Sequence, residues 1–168
     1  MIYARTGQAG RTRHWPANLL GLVGALLIVT VLGGCHGFSV KTPGNFVRLK
    51  RTSRRVVQVA PDNTVIVTRM WKNNPKGDAS FWTQTVRRDF EKVRGYTFVG
   101  MGAVKTASGL NGKELRFEGA YRGGVYAYRV ALFVTGDFIL SVELLAQKKA
   151  AAKYEKSYKE VVASLKFK

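Results

Sequence analysis

Two histidines, one cysteine and ten carboxylates are the groups in this 168-residue sequence that could shuttle protons, attack a substrate or hold a metal. His14 lies in the basic N-terminal segment and His36 directly follows Cys35, so both precede the part of the chain that reads as a folded domain. Imidazole is the usual proton shuttle near neutral pH, and without one in the domain neither a Ser-His-Asp nor a Cys-His arrangement can be assembled there. A carboxylate pair remains. Glu114 and Glu118 are four apart on an expected strand, which puts them on one face but about 13 Å apart, too far for the paired acids of glycoside hydrolysis. Asp89 and Glu91 are two apart on an expected helix, where side chains diverge. These acids read as solvated or arginine-paired groups. With so few of them, no metal site is expected. Gly100-Met101-Gly102 and the glycines between 119 and 124 do not open a helix after a strand, so no phosphate loop and no cofactor is expected either. The chain reads as non-catalytic.

What departs from an average composition is the charge: 28 Lys plus Arg against 10 Asp plus Glu, a formal +18. One cysteine cannot make an intramolecular disulfide, and disulfide scaffolds and Cys-rich zinc modules are excluded. The length suits one domain.

Residues 1–16 carry Arg5, Arg11 and Arg13 and no acid, and the run from Ala17 to Leu32 has only Asn18 and Thr30 as polar residues. A basic segment followed by an apolar one is the layout of a signal peptide. At 16 residues the run is short of the roughly 20 needed to span a bilayer comfortably, and an uncleaved membrane anchor is the second reading. The run closes on Leu32-Gly33-Gly34-Cys35, which resembles the lipobox of bacterial lipoproteins. The resemblance implies cleavage between Gly34 and Cys35, acylation of the Cys35 thiol and a membrane partner reached through the lipid; two or more acyl chains hold a protein to a bilayer stably. His36, not Asp, follows the cysteine, and in a Gram-negative cell this leans toward the outer membrane. The expected organisation is residues 1–34 as leader, 35–44 as acylated cysteine and poorly ordered tether, and 45–168 as the domain. Removing the leader takes away three Arg and no acid, so the charge belongs to the domain.

Within it, Arg54–Ala60 and Thr64–Trp71 are β-branched runs around the turn-forming Pro61-Asp62-Asn63, which predicts a hairpin, with Phe46–Leu49 beside it. Asp78 or Ser80 offers an N-cap for a helix of about 15 residues, with Ala79, Trp82, Val86, Phe90 and Val93 on one face and Gly95 ending it. Tyr96–Ala107, Glu114–Tyr121, Val125–Thr135 and Phe138–Ala146 read as a meander of four strands joined by short Gly-bearing turns. Lys148–Leu165 closes the chain as an amphipathic helix with Ala151, Tyr154, Tyr158, Val161, Val162 and Leu165 on its apolar stripe. Hairpin, helix, four-strand meander and helix predict an α+β fold, an antiparallel sheet with helices packed on it.

This order, with the helix end Arg94-Gly95-Tyr96, the turn and strand Leu110–Phe117, the strand Tyr126–Phe133 and the closing Ser164–Phe167, resembles the PsbP-like fold, and most closely its bacterial DcrB-like envelope lipoproteins. The resemblance covers about residues 45–168 and implies a non-enzymatic adaptor that binds other proteins, with no binding residues that can be carried over.

Two basic clusters are candidate contacts for an anionic surface: Arg48, Lys50, Arg51, Arg54 and Arg55 at the start of the domain, and Lys149, Lys153 and Lys156 with Lys148 and Lys159 on the last helix. Near an anionic leaflet each such cation is worth roughly 1 kcal/mol. No nucleic-acid recognition motif is present, and nucleic acid is not an expected partner. Trp71, Phe81, Trp82, Tyr121, Tyr126 and Tyr128 are candidates to line a groove, where an aromatic and arginine surface left uncovered by the helices would suit a protein. The leading expectation is therefore a lipid-anchored envelope protein whose binding domain serves the assembly or stability of an envelope complex. The alternative is a basic module docking on anionic lipid or cell-wall polymer.

Overall fold

The computed structural model describes residues 37–121 and 123–168. The leader, the Gly34–Cys35 cleavage site and His36 lie outside the described residues.

Seven strands form one sheet in the order β2-β3-β4-β8-β7-β6-β5, with every neighbouring pair antiparallel. They are β2 (Val47–Arg51), β3 (Arg55–Val59), β4 (Val65–Lys72), β5 (Thr97–Lys105), β6 (Asn111–Tyr121), β7 (Gly124–Val134) and β8 (Phe138–Gln147). The β3–β4 turn forms where Pro61-Asp62-Asn63 predicts it. Asn63 takes φ 63°, which asparagine tolerates, and the Asp62 carboxylate accepts from the Thr64 amide at 3.1 Å.

One helix covers each face. On the first, α1 (Ala79–Arg88) starts at Asp78, whose carboxylate accepts the Phe81 amide at 2.7 Å, and passes into a π-helical turn over Asp89–Val93. The wider turn re-aims its last residues. Phe90 stays buried on the sheet, but Val93 is 78% exposed, so the apolar face expected to run through Val93 ends one turn earlier. Phe90, Leu115, Phe117, Val130, Leu132 and Ile139 make the core on this side.

On the opposite face the final segment is not one continuous helix. Lys148–Tyr154 is 3-10 and Glu155–Ser164 is α2. Its predicted stripe is nevertheless buried from Ala151 to Leu165, packing on Ile66, Met70, Leu140, Val142 and Leu144. Each fully buried Val or Leu here contributes about 1.5–3 kcal/mol of burial.

From Gly37 onward, the segment expected to be poorly ordered is folded. β1 (Phe38–Ser39) pairs with β9 (Lys166–Phe167), and Gly37 and Lys168 exchange backbone hydrogen bonds at 3.1 and 2.8 Å. Phe38 and Phe46 are buried in the α2-side core. The buried Gln58 donates to the Lys41 carbonyl at 2.8 Å, tying the segment across β3. A composition rich in Gly and Pro hid two apolar anchors.

Candidate functional site

Two neighbouring features of the α1-side face could bind something: a pocket beneath α1 and a bare stretch of sheet beside it. The pocket, about 370 Å³, lies between the helix and strands β4, β8 and β7. Its apolar wall is Trp71, Trp82, Val86, Phe90, Val130 and Leu132, and Arg69, Asp89, Arg94, Ser141 and Glu143 supply its polar groups.

Asn73 sets the Trp82 wall. This residue, 7% exposed, ends β4 and accepts the Trp82 indole N–H at 2.7 Å and the Gly77 amide at 3.0 Å, while its amide group donates to the carbonyls of Gly77 and Thr135. The loop that Asn74-Pro75 breaks out of the sheet is thereby held as a bracket for the indole.

The polar floor is centred on Glu143, 8% exposed in the middle of β8. The Ser141 hydroxyl donates to its Oε1 at 2.8 Å, Arg69 Nε lies 3.6 Å from the same oxygen, and the Tyr128 hydroxyl donates to Oε2. Burial pushes the Tyr128 hydroxyl far above its ordinary value of 10.0, and the Glu143 charge and hydrogen bond push it the same way. Tyr128 is thus a fixed donor, and both Glu143 oxygens are already engaged. Arg94 is held by Asp89 at 2.7 Å and lies over the Phe90 ring. The arrangement is suited to holding an apolar group against aromatic walls, with guanidinium groups at the rim.

The bare stretch follows from how short α1 is. It packs over β6 and β7, and among the described residues no helix covers the β2–β3–β4 end of this face. Cross-strand partners Val57 and Val67, and Val59 and Val65, stand there only part-buried, with Val47 opposite Val59 and 66% exposed. Arg55 and Arg69, also cross-strand partners and both exposed, adjoin the valines on the side facing the pocket.

The carboxylates weighed as catalytic pairs are each ion-paired: Glu114 with Arg129, Glu118 with Lys148, Asp89 with Arg94 and Glu91 with Arg87. Of the expected groove aromatics, Trp71 and Trp82 line the pocket, Tyr128 supports its floor and Tyr126 shares that sheet face, whereas Phe81 is 45% exposed and does not line it. The side chain of Tyr121 is outside the described residues. The two basic clusters come from different elements. Arg48, Lys50 and Arg51 lie on the edge strand β2, and Arg54 and Arg55 at the turn into β3. Arg48 reaches back to the Thr42 hydroxyl at 2.7 Å. Lys149 and Lys153 follow directly on the end of β8, Lys153 near Asp62, and Lys156 follows in the first turn of α2. Register through β3 and β4 sets Arg48 level with Leu144 and Arg55 level with Ser141, three and six residues from the end of β8, or about 10 and 20 Å of strand.

Sequence reasoning missed Glu143, Arg69 and Asn73. Glu143 had a legible signal, being the lone carboxylate inside the apolar run Phe138–Ala146.

No family model matches this sequence, and no curated protein matches it in sequence. Solved structures do match. LpqN, described as involved in cell envelope biogenesis of Mycobacterium tuberculosis, superposes with a TM-score of 0.62 at 17% identity, covering 79% of this chain and 83% of its own. The cyanobacterial PsbP of Synechocystis matches at 0.57 and 11% identity over 79% of this chain and 87% of its own. The Saccharomyces cerevisiae Ran-binding protein Mog1p matches at 0.52 and 14% identity over 81% and 92%. The domain therefore has the expected α+β, PsbP-like fold.

Proposed function

We propose that this is a lipid-anchored accessory protein of the bacterial cell envelope, whose domain is a non-catalytic binding module for the assembly or stability of an envelope protein complex. The observation that carries the reading is the bare β2–β3–β4 face: a part-buried valine array adjoining an aromatic pocket. Soluble domains seldom leave such a face without a partner. The exposed cations of this face, Lys50, Arg55 and Arg69, adjoin the valines, so the partner surface that complements it is acidic and apolar.

The fold is shared with LpqN, and an envelope role is described for that protein. The Leu32–Cys35 motif supports anchoring through an acylated Cys35, and His36 at the next position favours the outer membrane in a Gram-negative cell. Among the described residues no helix is long and apolar enough to cross a membrane.

The test places a photoreactive side chain at Val57 or Val67 in intact cells, with Val93 as the control. One stoichiometric envelope protein crosslinked from the first two positions and not from the third is the expected result. Adducts to lipid alone, or equal yields from all three, would overturn the reading.

A further inference from the structure

The strand directions put the entry of the chain into the domain, the β2–β3 turn and the ends of β4, β5 and α2 at one end of the sheet. β1 is joined to β9. The Phe167 ring meets Phe138 across from the end of β4, where Lys72 faces Phe138 in register. Just beyond β5, the Ala107 amide donates to the Ala163 carbonyl at 2.8 Å and the Ser108 hydroxyl to the Leu165 carbonyl at 3.1 Å. On the far side of the sheet Met70 donates to the Arg54 carbonyl at 2.9 Å.

This end is strongly basic. Lys41, Arg54, Lys72, Lys105 and Lys166 are all exposed there. Its acids are few and partly committed: Asp78 caps α1, Asp137 pairs with Lys76 at 3.3 Å, and Glu160 shares a cleft with Lys41 and Lys166. Most of these cations are scattered through the sequence, in no charge run, and only the fold collects them.

We infer that this end of the sheet is the membrane-facing surface of the domain and docks on anionic phospholipid headgroups. The inference rests on the acylated Cys35 of the proposed function. Because Gly37 already bonds to Lys168, at most two peptide steps separate the fold from that cysteine, about 7 Å when fully extended. A tether of ten residues would let the domain tumble; one of two residues holds the Gly37 end at the headgroup layer. Cations within about 8–10 Å of an anionic surface lie inside the Debye length at physiological salt and act on it almost unscreened. Lys149 and Lys153, at the far end, face away from the bilayer in this orientation, which leaves the valine face lateral and open to a protein partner.

The full acylated protein, purified and reconstituted in nanodiscs of phosphatidylcholine alone or mixed with phosphatidylglycerol, tests this by the rate at which an amine-acylating reagent labels each lysine. Labelling of Lys41, Lys72, Lys105 and Lys166 is expected to slow several-fold on the anionic discs and to recover at high salt, with Lys149 and Lys153 unchanged. Equal labelling on both discs, or slowing at Lys149 and Lys153 instead, overturns the orientation while the anchor stands. Intact mass read on the same sample separates the two claims: a Cys35 without lipid overturns the anchor and this inference together.

Discussion

The Trp82 indole donates to Asn73 Oδ1 at 2.7 Å, so a strand-ending asparagine positions the tryptophan that walls the pocket. Asn73 is nearly buried and bonds at both ends of its amide. Replacing it by Ala strands several polar groups, at about 2–3 kcal/mol. Urea unfolding of Asn73→Ala is expected to show that loss with an unchanged slope, and its tryptophan emission to shift red. An unshifted emission would mean that the indole is held by packing alone.

Phe38 separates a folded entry from a loose tether. Its side chain is 8% exposed in the α2-side core. Phe38→Ala is expected to cost about 3 kcal/mol, seen as a Tm several degrees lower, whereas the same change in a disordered segment would leave Tm unmoved.

Two glycines on neighbouring strands should respond oppositely. A Cβ at Gly112 would sit 2.4 Å from the Leu132 carbonyl oxygen and 2.6 Å from the Phe133 ring, while one at Gly102 meets nothing within 4 Å. Gly112→Ala is expected to destabilise by about 1–3 kcal/mol through overpacking. Gly102→Ala should be neutral or slightly stabilising, since it only restricts the unfolded chain. Paired denaturant titrations read both.

Alkaline stability should depend on two buried phenols. Tyr128 and Tyr158 are both raised above the ordinary 10.0, by burial first, then by the charges of Glu143 and Glu114 respectively. A folded-state pKa above the unfolded one gives stability that is complete below pH 10 and falls as pH rises beyond it, because the unfolded chain releases protons that the folded one retains. Ultraviolet titration is expected to show these two tyrosines ionising only as the domain unfolds. Tyr158→Phe should flatten the loss above pH 10 and cost about 1 kcal/mol or less at neutral pH. A slope equal to that of the unmodified protein would assign the alkaline transition to other groups.

The regular elements were legible because their signals are local: Pro61-Asp62-Asn63 is a turn on its own chemistry, and Asp78 caps a helix whose apolar spacing is visible. The π-helical turn after Arg88 was not, since nothing in Asp89–Val93 distinguishes it from further α-helix until Tyr96 bonds back to Phe90. The entry segment was misjudged for a related reason. Phe38 looks like an isolated apolar residue among Gly, Ser and Pro until a strand from the other end of the chain, Lys166–Phe167, comes to pair with it. Half of the pocket was visible as Trp71 and Trp82. The other half depends on register, which sets Glu143 opposite Val130 and Val67 and brings Arg69 and Tyr128 to it from separate strands. The basic end of the sheet was illegible on the same account, because its cations come from three strands, a turn and a loop.

The reciprocal bonds between Gly37 and Lys168 also decide how the domain responds to force. Pulled apart at these two points, the antiparallel β1–β9 ribbon opens like a zipper, one pair at a time, instead of sliding along its length as strands loaded from opposite ends do. The clasp yields at low load and exposes Phe38 and Phe167, while the seven-stranded sheet is not yet strained. A domain held close to a membrane by its N-terminal end and pulled at its C-terminal end would then lengthen by releasing those few residues, with the binding face intact.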